Sequence, residues 1–229
     1  MITHYTFMGD THFGAGNGAD DFGGPERDMA FYRLTADLKD AGHKLVDMGD
    51  YAELGQTTED EIVKVHPLGI LAFQQNFSVH LKGNHDDVPE LFGEPLLDEW
   101  EENSIYAEHG RRFDPYSHGL IHSVLSKPAV AVVSWLERHI HPDVDLWLER
   151  CLSRGRYSTI KAYRKAGLTI LQDRDDLRVV VFGHTHKVAV SKVLDGCYVL
   201  NSGTWIGGRH DAVTVNADTL ECSVLHFRL

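Results

Sequence analysis

The chain has 229 residues, 42% hydrophobic and 24% charged, which is enough to bury one sizeable core and typical of a soluble globular protein. Its formal charge of −12 argues against loose, non-specific binding to nucleic acid or anionic membrane. Three cysteines at scattered positions (Cys151, Cys197, Cys222) do not form a zinc module. With no signal-peptide pattern and no apolar run of about eighteen residues, they lead us to expect a cytoplasmic protein without a membrane span.

In chain order, Thr3 to Met8 alternates and is rich in β formers, which predicts a strand running into Gly9-Asp10-Thr11-His12. A Gly/Asp-rich loop over 15–24 follows, then a helix starting at Pro25-Glu26, with Met29, Tyr32, Ala36 and Leu38 as its apolar face and Gly42 as its end. Leu45 to Met48 is a second strand, ending in Gly49-Asp50. Thr58 with Glu61 is a capping-box signature for a helix that bends near Pro67. Phe77 to Leu81 is a third strand, ending in Gly83-Asn84-His85-Asp86. Val88 to Asn103 reads as helical or irregular, and Ile105 to Ala107 as a fourth strand ending in Glu108-His109-Gly110. Val179 to Phe182 is a buried fifth strand that delivers Gly183-His184-Thr185-His186. Beyond it, Val188–Val190, Cys197–Leu200, Ala212–Val215 and Cys222–Phe227 are strand-like, with turns at Leu194-Asp195-Gly196 and Ala217-Asp218.

Histidine is over-represented, with fifteen copies, and five strand ends carry Asp, Asn or His beside a glycine. A strand end holds such side chains on short backbone at one sheet edge, where open α/β folds bind ligands. Carboxylates, an amide and neutral imidazoles are what a two-metal hydrolytic site needs: a carboxylate bridges two ions, imidazoles complete each shell, and the pair holds a hydroxide and clamps a phosphoryl group. This donor set suits Mn, with Fe, Zn, Co or Ni as alternatives, better than Mg or Ca. His80, inside a strand, reads as a satisfied core residue.

The ordered set Asp10-x-His12, Gly49-Asp50, Gly83-Asn84-His85-Asp86, His109-Gly110 and Gly183-His184-Thr185-His186 resembles the five motifs of calcineurin-like metallophosphoesterases, and Asn201-Ser202-Gly203-Thr204-Trp205 resembles a segment of their bacterial members. The resemblance implies an α/β fold in which two mixed β-sheets pack as a sandwich flanked by helices. It implies that Asp10, His12, Asp50 and His186 hold one divalent metal, and that Asp50, Asn84, His109 and His184 hold the other, with Asp50 bridging. It further implies that His85 is the non-ligand histidine that binds the phosphoryl group or protonates the leaving oxygen. Glu53 and Asp86 are candidates to orient the ligands.

Gly49 to Gly55 lacks the arginine of the family's protein phosphatases, and Asp86 replaces their glutamate. The order of motifs is similar to the UDP-diacylglucosamine pyrophosphohydrolase branch, although that branch carries arginine where this chain has His85. One domain over 1–229 is expected, with 115–175 inserted as a helical cap: an apolar first half, then a basic stretch including Arg150, Arg154 and Arg156 that would face substrate phosphate. His118 and His122 could reach the site from that cap. The function expected is hydrolysis of a phosphoester or pyrophosphate bond in a small or lipid-like substrate. A nuclease of the same superfamily and a non-catalytic scaffold with the same fold are the alternatives.

Overall fold

Among the described residues, ten strands form two mixed five-stranded sheets whose parallel strands deliver their C-terminal ends to one edge. The computed structural model describes residues 1–16, 20, 22–54, 57–85, 95–113 and 159–228. The strands are β1 (His4–Met8), β2 (His43–Asp47), β3 (Phe77–His80), β4 (Glu99–Glu102), β5 (Ile105–Glu108), β6 (Val179–Phe182), β7 (Val188–Leu194), β8 (Cys197–Ser202), β9 (Asp211–Asn216) and β10 (Cys222–His226). The first sheet has the order β10-β9-β1-β2-β3 and the second β4-β5-β6-β8-β7. Within them β1, β2 and β3 run parallel, as do β5, β6 and β8.

Side-chain alternation along these strands builds the layers. Tyr5, Phe7, Val46, Val79, Val179 and Val181 face the other sheet and form the central core. The opposite faces carry Met8 and Leu45 toward the first helical layer, and Val180 and Phe182 toward the second. That first layer is α1 (Pro25–Asp40), α2 (Glu59–Val65) and α3 (Pro67–Asn76); the second is α4 (Thr159–Asp173), seated on β6 and β8 through Tyr163 and Leu171. The capping box at Thr58 and Glu61 is present, and the bend falls at His66, between α2 and α3.

Two expectations change. Residues 99–102 form β4, an edge strand paired antiparallel with β5, where a helical or irregular stretch was expected. Three of its four residues are glutamates, so it carries no hydrophobic period, and charged side chains suit an edge open to water. Its hairpin turn, Asn103-Ser104, has positive φ at both residues (50° and 62°), a geometry asparagine tolerates. In α1 the buried face runs through Asp28, Phe31 and Thr35, while Met29 is 41% exposed. Phe31 is fully buried because it meets Phe13, Phe22, Phe73 and Trp205, a cluster of rings brought from four other segments.

Residues 159–173 of the expected cap are α4, packed on the outer face of the second sheet; Arg150, Arg154, Arg156, His118 and His122 lie outside the described residues, as does Asp86. No helix among the described residues is long and apolar enough to cross a membrane.

Candidate metal centre

The loops leaving β1 and β2 run side by side. Asp10 N donates to Gly49 O (2.9 Å), His12 N to Asp50 O (3.1 Å) and Phe13 N to Tyr51 O (2.8 Å). This continues the parallel pairing past the strand ends and brings Asp10 and Asp50 to the same depth. The backbone is then turned sharply: Asp10, His12, Asp50, His184 and His186 all have positive φ, between 47° and 65°. Such left-handed conformations cost a non-glycine residue roughly 1–2 kcal/mol each and concentrate at functional sites, held by their surroundings. The surroundings are visible here. Thr204 Oγ1 and Trp205 N both donate to Asp10 O (3.1 Å each), while Asn201 accepts from Thr185 Oγ1 (2.7 Å) and donates to Gly183 O (3.2 Å). Gly49, at φ 89°, allows a close approach, since a Cβ there would lie 2.6 Å from Gly83 N.

The side chains gather in two groups. The ligand atoms of Asp10, His12 and His186 lie within 4.8 Å of one another, as do those of Asp50, His109 and His184. His109 Nε2 is 3.1 Å from Asp50 Oδ2, 3.1 Å from Asn84 Oδ1 and 3.2 Å from His184 Nδ1. Two ligands at right angles around one ion, each at about 2.1 Å, would be about 3 Å apart. Asp50 also accepts from the backbone N–H of Asn84 (2.6 Å) and of His85 (2.8 Å), which ties the loop after β3 to the centre.

Hydrogen bonds behind the imidazoles set which nitrogen faces inward. His109 Nδ1 donates to Met48 O (2.8 Å), leaving Nε2 toward the centre. Glu53 receives His12 Nδ1 on one oxygen and His85 Nδ1 on the other, each at 2.9 Å. His12, Glu53 and His85 also lie close enough to form a third candidate ligand group. Its short contacts are N–H to carboxylate hydrogen bonds, so Glu53 serves as an orienting acid for two histidines. Behind this row, Asp47 accepts from Gly49 N (3.0 Å) and pairs with His80 Nδ1 (3.3 Å), so His80 is a satisfied core residue as expected.

The electrostatics favour bound positive charge. Burial pushes the Asp50 carboxyl up, yet the charge and hydrogen bond of His109 carry it well below the usual carboxylate range. Burial pulls His109 down, and the Asp50 charge beside it raises it to about 10. Glu53 falls to about 2 because the His12 and His85 hydrogen bonds outweigh its burial. Meanwhile Asp10 Oδ1 and His12 Nε2 are buried without a hydrogen-bond partner. A buried polar atom left so costs about 1–3 kcal/mol. Unsatisfied donor atoms, two carboxylates, one amide and four imidazoles fit divalent metal ions of intermediate softness.

A calcineurin-like phosphoesterase family model matches residues 3–188, more than three quarters of the chain. The chain belongs to the calcineurin-like phosphoesterase family. It is therefore a metal-dependent phosphoesterase, a hydrolase, and its two-sheet architecture is the calcineurin-like fold. A dimetal phosphatase from Danio rerio superposes over 99% of each chain at 11% identity and a TM-score of 0.52. An archaeal phosphodiesterase matches over 98% of this chain and 99% of its own, at 16% identity and a TM-score of 0.48. Zinc-complexed Vps29 from Entamoeba histolytica matches over 99% and 98% respectively, at 16% identity and a TM-score of 0.48. No curated protein sequence matches the chain.

Of the residues singled out from sequence, Asp10, His12, Asp50, Asn84, His109, His184 and His186 meet at one edge, with His85 and Glu53 beside them. No role was read from sequence for Asn201, Thr204 and Trp205, which brace the loops carrying Asp10 and His184, nor for Asp47. The Asn201–Trp205 motif was the available signal.

Proposed function

We propose that this phosphoesterase uses two divalent ions, with manganese the natural pair. Asp10, His12, Asp50 and His186 hold one, Asp50, Asn84, His109 and His184 the other, and Asp50 is shared. The observation that carries this reading is the convergence of two ligand groups, Asp10/His12/His186 and Asp50/His109/His184, with unsatisfied buried donors in the first. When bound, such ions activate water at neutral pH and neutralise charge on the phosphoryl oxygens.

The chain's own residues do the rest. His85 stands beside the His12 ring (4.9 Å between centroids), its side chain 40% exposed and its Nδ1 held by Glu53. The exposed side of its ring would hydrogen-bond a phosphoryl oxygen and give a proton to the departing alcohol oxygen. Glu53 fixes the tilt of His85 and His12 together. Substrates are phosphoesters or pyrophosphates, and we retain 115–175, with Arg150, Arg154 and Arg156, as the segment that receives the rest of the molecule. A cytoplasmic setting suits Cys197 and Cys222, which carry free thiols.

The test is metal analysis of the purified protein together with hydrolysis of bis(p-nitrophenyl) phosphate before and after chelation and on adding back manganese. Two ions per chain and restored turnover are expected. A chain that turns over fully with one ion, or with none, defeats the reading.

A further inference from the structure

Beside His109 lies a cleft of about 610 Å³, walled by the loops that follow β3 and β5 and by the start of β4. His109 alone among the seven candidate ligands lines it, so the cleft flanks the centre instead of repeating it.

Two consecutive arginines border this cleft and meet different fates. Arg112 is consumed internally: its Nε lies 2.9 Å from Glu108 Oε2, and its Nη2 donates to Glu108 Oε1 (2.9 Å) and to Tyr106 Oη (3.0 Å). Tyr106 Oη in turn donates to Glu99 Oε2 (2.7 Å). Arg111 is exposed and has no hydrogen bond, ion pair or ring contact among the described residues. In a chain of net charge −12, a cation beside the candidate centre with no acid paired to it among the described residues is an unusual placement.

The turn that carries Arg111 is rigidly built. Gly110 has φ 95°, and its carbonyl accepts from Tyr163 Oη and from Phe113 N, each at 2.9 Å. A Cβ at position 110 would lie 2.7 Å from Tyr163 Cε1, so the turn is seated directly on α4. Two residues of chain keep the Cα of Arg111 within about 7 Å of that of His109. Lys82 and the exposed acids Asp98 and Glu99 line the cleft as well; Glu99 stands across the sheet from Glu108 and takes the Tyr106 hydrogen bond.

We propose that this cleft receives the part of the substrate next to the scissile phosphorus, and that Arg111 binds an anionic group there. Preferred substrates then carry a second carboxylate or phosphate close to the ester, which the planar guanidinium grips through two parallel hydrogen bonds. This inference rests on the phosphoester reading above and adds the substrate's charge pattern to it.

Two probes separate the effect: glycerol 2-phosphate, and 2-phosphoglycerate, in which a carboxylate replaces one hydroxymethyl group. Their affinities for the manganese-loaded full chain are measured by isothermal titration calorimetry, for wild type, Arg111→Ala and Arg111→Lys. Wild type should bind 2-phosphoglycerate about tenfold more tightly or better, as expected for a charge-assisted contact. Arg111→Ala should bring the two affinities together, and Arg111→Lys should keep part of the preference, a rescue that a merely structural role would not show. A preference that survives in Arg111→Ala, or equal affinities in wild type, overturns the proposal. Failure of the phosphoester reading would show separately, as no bis(p-nitrophenyl) phosphate turnover by the metal-loaded wild type, and would leave the two affinities readable.

Discussion

His66, at the junction of α2 and α3, sits between two buried carboxylates. Its Nε2 donates to Asp20 Oδ2 (2.6 Å) and its Nδ1 to Asp28 Oδ1 (2.8 Å), with all three side chains almost without solvent contact. Both nitrogens donate, so the ring is an imidazolium, and Phe13 stacks on it at 4.8 Å. Burial pulls its pKa down, but the hydrogen bonds and charges of Asp20 and Asp28 raise it from 6.5 to about 9. At about 1.36 kcal/mol per unit, that rise represents about 3 kcal/mol of folding stability. Because the folded value is the higher one, this contribution is complete below the unfolded value of 6.5 and is lost as pH climbs through about 9. The perturbation is His66→Gln, which removes the titrating group and leaves one amide between two buried acids, at a cost of about 3–5 kcal/mol at neutral pH. The assay is urea unfolding followed by tryptophan fluorescence at about pH 6, 8 and 10 for both proteins. The stability gap should narrow by about 3 kcal/mol from the lowest pH to the highest, because only wild type has this contribution to lose. Among the described residues Asp20 and Asp28 are the charged groups paired with the ring, so titrations elsewhere in the chain cancel in the difference. A gap that stays constant with pH would refute the reasoning.

Three further outcomes are expected. Asp50→Asn should lower phosphodiester turnover by several orders of magnitude and leave fewer than two metals per chain by elemental analysis, since the proposed site has Asp50 shared by both ions; wild-type turnover with two ions would remove Asp50 from that proposed place. His85→Ala should keep its metals and lose about 10²–10⁴-fold in turnover for alkyl esters, less for nitrophenyl esters, whose leaving group needs no proton; loss of metal instead would make His85 a ligand. Gly49→Ala should destabilise the fold, measured as a lower melting temperature, because the added methyl would stand 2.6 Å from Gly83 N at a positive φ; an unchanged melting temperature would show that the two loops are free to part.

What was legible in the sequence followed from local grammar. A strand of β formers that ends in Asp, Asn or His beside a glycine announces its own edge, and five such endings located the side chains that gather there. The capping box at Thr58 and the proline at position 25 work the same way, through neighbours within a turn. The features missed depend on partners far along the chain. Asp20 and His66 are 46 residues apart, and nothing in either neighbourhood names the other. Phe31 is buried, and not Met29, because rings from Phe13 and Trp205 arrive on its side of α1. The left-handed backbone at Asp10, His12, Asp50, His184 and His186 was equally hidden, because only bracing by other loops makes that conformation tenable. β4 escaped because an edge strand facing water needs no apolar alternation.

The site draws on both sheets: Asp10, His12, Asp50 and Asn84 follow strands of the first, His109, His184 and His186 strands of the second. Hydrogen bonds cross the seam at this edge, from His109 to Met48 O and from His184 N to Asp10 Oδ2. Contacts of such long sequence separation form late, after each half has gathered its local structure. During synthesis the first sheet's four donors are available early, but they include only one of the four imidazoles; the second follows at residue 109 and the last at residue 186 of 229. A growing chain therefore has no complete hydrolytic centre to expose before most of its fold is present, and the onset of hydrolysis in a refolding experiment reports the docking of one sheet on the other.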